Sequence, residues 1–331
     1  MLGMTDTAIL VEGLAKRFGE VTALDGIDFK VPTASILGLL GPNGAGKTTA
    51  VRILATVIDP DAGRAEVLGH DVQREAELVR YLIGLAGQNA AVDPNLTGRE
   101  NLRMIGRLTQ LPDRRVEVRA AEILERFGLA DAADRPVKTY SGGMRRRLDV
   151  GAALMHRPPV LFLDEPTTGL DPEGRNELWK VIRELVADGT TVLLTTQYLE
   201  EADRLADRIV VIDKGRVIAD DTPGALKSRM GSTVIELGMT DEEEARRAQA
   251  TVIGIAGGHA ESDGPILRIT LQDGAKVLIE VLRTLDGNGI TPATLTVRQP
   301  SLDDVFLALT GKHVEEAPPP GEREMAKAGA R

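Results

Sequence analysis

Gly41-Pro42-Asn43-Gly44-Ala45-Gly46-Lys47-Thr48 is the stretch that decides how this chain folds. Ser35 to Leu40 ahead of it reads as a buried strand, and Gly46 to Val57 behind it as a helix. Backbone N–H groups can surround phosphate oxygens only where no Cβ blocks the approach, which accounts for Gly41, Gly44 and Gly46. The helix that starts there turns its positive dipole end toward the phosphates. Lys47 supplies a point charge for the β- and γ-phosphates, and Thr48 offers a hydroxyl to Mg²⁺. Taken alone, this loop implies a nucleoside triphosphate and no particular use for it.

Downstream, Leu161-Phe162-Leu163-Asp164-Glu165 is an apolar run ending in two carboxylates. Such groups at the end of a buried strand are costly unless they serve a ligand or a partner. Beside a phosphate-bound Mg²⁺, Asp164 would hold the ion and Glu165 would activate or orient the attacking water. Some twenty residues earlier, Tyr140-Ser141-Gly142-Gly143-Met144 opens a helix running to Met155. A hydroxyl and two unobstructed amides at a helix start are an N-cap, and also a second anion site.

Further strands are expected at 8–12, 21–31, 81–86, 191–195 and 209–213, with Lys16-Arg17-Phe18-Gly19 as a turn. From Thr97 to about residue 156 the apolar spacing becomes helical, as in Val116, Ala120, Ile123, Leu124 and Phe127, which implies a helical insert. Strands alternating with helices imply an α/β fold with a parallel sheet covered on both faces. A second domain is expected over 231–311. Strands at 232–238, 265–271 and 290–298 and helices at 241–253, 274–286 and 301–310 suggest a small α+β domain of ferredoxin-like type. The Pro-rich segment 312–331 is expected to be a disordered tail.

Composition narrows the function. The chain has 331 residues, 42% of them apolar, enough for one large or two unequal domains. A formal charge of −10 disfavours unspecific nucleic-acid binding, so no nucleic-acid partner is expected. Arg145, Arg146 and Arg147 read as a solvated or interface face inside an acidic chain. With no cysteine, disulfides and thiol chemistry are excluded. No apolar run is long enough to span a bilayer, and no secretion signal is expected over Met1 to Thr7.

The glycine loop, the serine-glycine-glycine helix start and the carboxylate strand, in this order, resemble the ATP-binding cassette (ABC) family over roughly residues 8–228. The resemblance implies a P-loop nucleotide-binding domain over 1–230, with a RecA-like core, an antiparallel β subdomain and a helical subdomain. It implies ATP and Mg²⁺ as cofactors, and it adds Asn43 and Thr49 to the nucleotide contacts. Gln88 sits where the family has a Mg²⁺- and water-contacting glutamine that also relays motion to a membrane subunit. Phe18 sits where the family stacks an aromatic on adenine, the other reading being a core residue at a turn.

In that family Ser141, Gly142 and Gly143 would meet the γ-phosphate held by a second copy, and Asp171, in Gly169-Leu170-Asp171, would join the two sites. A chain with one glycine loop and one such helix start therefore needs a head-to-tail dimer. Gln197 stands where the family has a histidine; it can hydrogen-bond a γ-phosphate but cannot become cationic. Met144 replaces the usual glutamine. Glu165 is then expected to carry more of the catalysis, with Lys47 and Gln197.

Tyr140 to Asp149, Thr195 to Asp203 and Pro300 to Gly311 are similar to the ATP-binding subunits of daunorubicin/doxorubicin-resistance exporters. This implies an ATPase on the cytoplasmic face of the membrane, energising efflux of an amphipathic compound through a separate polytopic ABC-2-type permease. The alternatives are a soluble cassette ATPase acting on DNA or ribosomes, and a cassette for lipid or polysaccharide export. The C-terminal domain would regulate or dock. Leu302, Val305, Phe306 and Leu309 lie on one helix face, which forms either a docking surface or that domain's own core.

Overall fold

The computed structural model describes residues 6–87, 91–229, 233–254, 260–271, 274–298 and 300–310. The first strands are longer than their sequence suggests. β1 (Thr7–Phe18) pairs antiparallel with β2 (Val21–Pro32), and the pairing passes through a register shift between Val11 and Leu14, where Gly13 has φ +57°. Lys16, Arg17 and Phe18 therefore continue the strand, and the turn is confined to Gly19-Glu20. β3 (Ile36–Leu40) is wholly buried and delivers the chain into the glycine loop and α1 (Lys47–Leu54). β4 (Ala62–Val67) and β5 (His70–Asp71) complete a four-stranded antiparallel sheet of order β2-β1-β4-β5.

α2 (Ala76–Leu82) runs without a turn into β6 (Ile83–Ala86). Tyr81, expected in the strand, thus belongs to the helix, because no glycine or proline marks the junction. The helical insert follows as α3 (Gly98–Leu108), α4 (Asp113–Arg126) and α5 (Gly142–Ala153). Its entry is set by a capping box: Glu100 N–H donates to Thr97 Oγ1 at 3.1 Å, and Thr97 N–H to Glu100 Oε2 at 2.8 Å. Val116, Ala120, Ile123, Leu124 and Phe127 are all buried there.

β7 (Val160–Asp164), α6 (Pro172–Ala187), β8 (Thr191–Thr196), α7 (Leu199–Leu205), β9 (Arg208–Asp213) and β10 (Arg216–Asp221) close the nucleotide-binding fold. Its main sheet has the order β10-β9-β3-β8-β7-β6, parallel except for the edge strand β10. β3, β7 and β8 are buried along their whole length, which is why they read as continuous apolar runs. A parallel core, an antiparallel β subdomain and a helical subdomain are all present.

The second compact unit begins at Thr222, one short helix before the boundary expected at residue 231. That helix, α8 (Pro223–Arg229), packs against the last one and so belongs with it. The unit continues with β11 (Thr233–Gly238), α9 (Glu242–Val252), β12 (Ala260–Asp263), β13 (Ile266–Leu271), α10 (Gly274–Gly287), β14 (Thr294–Arg298) and α11 (Leu302–Thr310). Its antiparallel sheet has the order β12-β13-β11-β14, the ferredoxin-like βαββαβ arrangement. Leu302, Val305 and Phe306 are buried and Leu309 is exposed, so most of the α11 face is packed and is not a free docking surface. The segment expected to be a disordered tail lies outside the described residues. Among those described, no helix is long and apolar enough to cross a membrane.

Between α6 and α7 lies a fully buried carboxylate, Glu201, whose Oε1 accepts from Trp179 Nε1 at 2.9 Å. Arg204 covers the Trp179 ring from 5.3 Å. Glu201 Oε2 and the Thr167 hydroxyl are buried without a hydrogen-bond partner. Burial pushes the Glu201 carboxyl above the usual glutamate range, against weaker opposing pulls from neighbouring hydroxyls, Trp179 and Arg146. A carboxyl raised in the folded state contributes stability below its unfolded pKa, and that contribution is lost as pH rises through the folded value. Glu201→Gln, which mimics the protonated group, is predicted to melt a few degrees higher than the parent at pH 8, with the gap closing as pH falls into the ordinary glutamate range. Thermal melts across pH check this; a variant that is less stable at pH 8 contradicts it.

Candidate nucleotide site

The parallel sheet brings three strand ends to one edge: β3 feeding the glycine loop, β7 ending in Asp164, and β8 ending at Thr196 just before Gln197. In the loop, a Cβ on Gly41 would run into the Ile212 carbonyl, and one on Gly46 into the Ala23 carbonyl. Gly46 is also the N-cap of α1 and has φ +112°, a conformation that disfavours any side chain. Asn43 and Gly44 are exposed at the loop tip, and Thr48 and Thr49 are half-buried in the first turn of the helix.

Lys47 is 5% exposed, and its Nζ donates to the carbonyls of Gly41 at 2.7 Å and Pro42 at 3.1 Å. Burial lowers its pKa, while the charges of Glu165 and Asp164 hold it up. The ammonium is therefore pinned over its own loop, close to the two carboxylates. Thr48 Oγ1 donates to Asp164 Oδ1 at 3.3 Å, and Thr195 Oγ1 donates to the same oxygen at 2.5 Å. A hydroxyl and a carboxylate at this separation are hard oxygen donors of the kind Mg²⁺ takes alongside substrate phosphates.

Glu165 stands one residue beyond the strand in a left-handed backbone conformation, φ +50°. For a residue other than glycine this costs on the order of 1–3 kcal/mol. The turn is held by its own N–H, directed at both the carbonyl and the hydroxyl of Thr195 at 3.1 Å. The Glu165 carboxylate accepts from Thr168 Oγ1 at 3.3 Å. Gln197 lies half-buried in the short link between β8 and α7. Arg175, on α6, stacks 5.2 Å from the ring of Tyr198 in that link.

Phe18 ends β1 and is 49% exposed, with Lys16 Nζ 5.5 Å from its ring centre, so the core reading is wrong and the ring is open to a stacking partner. Asp61 steadies this corner by accepting from Lys16 Nζ at 2.8 Å and Arg17 N–H at 2.7 Å. Ser141 caps α5 by accepting from Met144 N–H at 3.2 Å, and Ser141 and Gly142 are exposed. Asp171 caps α6 by accepting from Gly174 N–H at 3.0 Å. Among the described residues, no hydrogen bond joins Ser141, Gly142, Gly143 or Asp171 to the glycine loop. Gln88 lies outside the described residues.

The arginine run departs from expectation. Arg146 is not on a solvated face: its side chain is 11% exposed and makes an ion pair with the 2% exposed Asp149 at 3.3 Å. Its Nη2 donates to the carbonyls of Asp164 at 2.7 Å and Glu165 at 3.0 Å, and its Nε to Pro166 O at 2.9 Å. Arg147 pairs with Glu177 at 2.6 Å, leaving Arg145 the exposed member of the three. Burial raises the Asp149 carboxyl, against the pull of the Ala91 amide and Arg146. The only sequence signal for this was Asp149 three residues after Arg146, on a helix whose Leu148 and Val150 are buried.

The sequence of residues 24–168 matches the ABC transporter family description. The daunorubicin resistance ATP-binding protein DrrA2 of Streptomyces coeruleorubidus is 55% identical, over 94% of this chain and 98% of its own. The doxorubicin resistance ATP-binding protein DrrA of Mycobacterium tuberculosis is 45% identical over 92% and 94%. The Nod factor export ATP-binding protein I of Ralstonia nicotianae is 41% identical over 95% and 97%. Among solved structures, the ADP conformation of an ATP-binding cassette of an ABC transporter is 29% identical, with a TM-score of 0.60 over 66% of this chain and 92% of that one. With the loop, the carboxylate strand and the helical insert in place, the chain belongs to the ABC transporter family as an ATP-binding, ATP-hydrolysing protein of the branch that holds the daunorubicin/doxorubicin-resistance proteins.

Proposed function

We propose that this chain is the energising subunit of an exporter that moves a drug-like amphipathic compound through a separate ABC-2-type membrane permease. The observation that carries this reading is identity of 45–55% along nearly the whole chain, second unit included, to proteins named for daunorubicin or doxorubicin resistance. The 41% identity to a Nod factor export protein supports a second reading, export of a compound other than a drug by the same chemistry. Either way the chain works at the cytoplasmic face of the membrane, with no nucleic-acid partner, and its second unit regulates or docks.

In the proposed cycle two copies lie head to tail. The loop Gly41 to Thr49 of each binds ATP, Phe18 stacks on the base, and Ser141, Gly142 and Gly143 of the other copy reach the γ-phosphate. Asp171 links the two sites. Thr48 and Asp164, with Gln88, would hold Mg²⁺, which neutralises the phosphates and fixes their orientation. Lys47 steadies the same oxygens. Glu165 orients the attacking water and accepts its proton, and Gln197 senses the γ-phosphate by a neutral hydrogen bond. Loss of that phosphate removes the contact that joins the copies, and the dimer opens.

Glu165→Gln is expected to lower turnover by about 10²- to 10⁴-fold while ATP still binds. Steady-state hydrolysis and nucleotide titration check this, and unchanged hydrolysis rejects the role given to Glu165. The same variant, loaded with ATP and recovered from host membranes, is predicted to bring down a polytopic membrane protein in about equal amount. Recovery of ribosomes or DNA-bound proteins instead would move the chain to the soluble cassette ATPases.

A further inference from the structure

The Arg146 guanidinium has five N–H groups and five acceptors. Besides the carbonyls of Asp164, Glu165 and Pro166, it reaches Gly87 O at 2.5 Å and Asp149 Oδ2 at 3.3 Å. Three successive carbonyls converge on one cation here because the chain turns left-handed at Glu165. Asp149 in turn accepts from Ala91 N–H at 2.7 Å, so the Arg146–Asp149 pair grips both flanks of the segment that carries Gln88. Both residues lie on α5, the helix that Ser141 caps.

We propose that Arg146 is a positioning residue for hydrolysis: its forked guanidinium holds the Glu165 turn in the conformation that aims the carboxylate at the attacking water. The proposal rests on the role given to Glu165 above. It also links the start of α5, which would engage the ATP of one site, to the water-activating carboxylate of the other. A planar fork with donors on three nitrogens is required, because the acceptors lie on separate segments. A lysine ammonium, with its donors on one atom, cannot span them.

The test is a double-mutant cycle on the full-length protein with MgATP: parent, Arg146→Lys, Glu165→Gln, and both together. Arg146→Lys is expected to lower kcat at least about 30-fold with KM within about threefold of the parent. Because the arginine acts through Glu165, adding Arg146→Lys to Glu165→Gln is expected to lower the residual rate by less than about threefold more. A kcat for Arg146→Lys within threefold of the parent overturns the proposal. So does a full, additive loss in the double variant, or a fall expressed mainly in KM, which would assign the arginine to ATP binding. If Glu165→Gln itself leaves turnover unchanged, the reading of Glu165 fails instead. Should Arg146→Lys not fold, Asp149→Asn replaces it: shape is kept, but the charge that anchors Arg146 goes and one of the two acceptor oxygens becomes an NH2 donor. The bonds from Ala91 N–H and Arg146 Nη1 then cannot both survive, and a kcat fall of about fivefold at constant KM is required. An unchanged kcat for Asp149→Asn overturns the proposal equally.

Discussion

Parallel pairing of β3, β8 and β7 is the constraint on which the nucleotide site depends. Leu40 pairs with Thr196 and Thr195 with Asp164, so the glycine loop, the carboxylate turn and the Gln197 link leave the sheet at one edge. Ligands of open α/β sheets bind at that edge because the strands end there and the loops are free to vary. Placing charge at the end of a buried sheet is unfavourable unless each group finds a partner. Here Lys47 is met by loop carbonyls, and Asp164 by the hydroxyls of Thr48 and Thr195.

A second layer of charge sits behind the first. Arg146 with Asp149, and Glu201 with Trp179, lie under the turns that carry Glu165, Thr167 and Gln197. Buried ionic groups of this kind are poor sources of net stability, since desolvation consumes most of the attraction. Their value lies in geometry. Arg146 gives irregular backbone, which has no ladder to satisfy its carbonyls, a fixed set of donors. The left-handed turn at Glu165 persists because Thr195 takes its N–H and Arg146 takes its carbonyl.

Much of this was legible in the sequence, because the glycine loop, the buried strand ending in two carboxylates and the helical spacing of the insert are local patterns. The second unit was legible in part: three of its strands and its helices were, but the short strand β12 (Ala260–Asp263), polar or charged at every residue after Ala260, was not. What escaped was set by tertiary contact. Three consecutive arginines look solvated until the carbonyls that bury the middle one are known, and those come from segments far along the chain. Glu201 follows Glu200 as one of two adjacent acids, yet it falls on the face of α7 that buries Ala202 and Leu205. Tyr81 looked like strand because α2 meets β6 with no punctuating residue. The β1 strand outlasted its apolar alternation because a bulge at Gly13 lets pairing continue past polar residues.

The exposed caps of α5 and α6 and the exposed Phe18 ring leave the site built in one copy with surfaces that a second copy is proposed to complete. Subunit complementation tests that claim most directly. Lys47→Ala destroys the loop and keeps the α5 cap; Ser141→Arg destroys the cap and keeps the loop. Each variant alone is predicted to be inactive, and an equal mixture to recover roughly a quarter of the parental hydrolysis, one intact composite site in half of the dimers. A mixture as inactive as its components, with mixed dimers shown to form, would contradict a site shared between two copies.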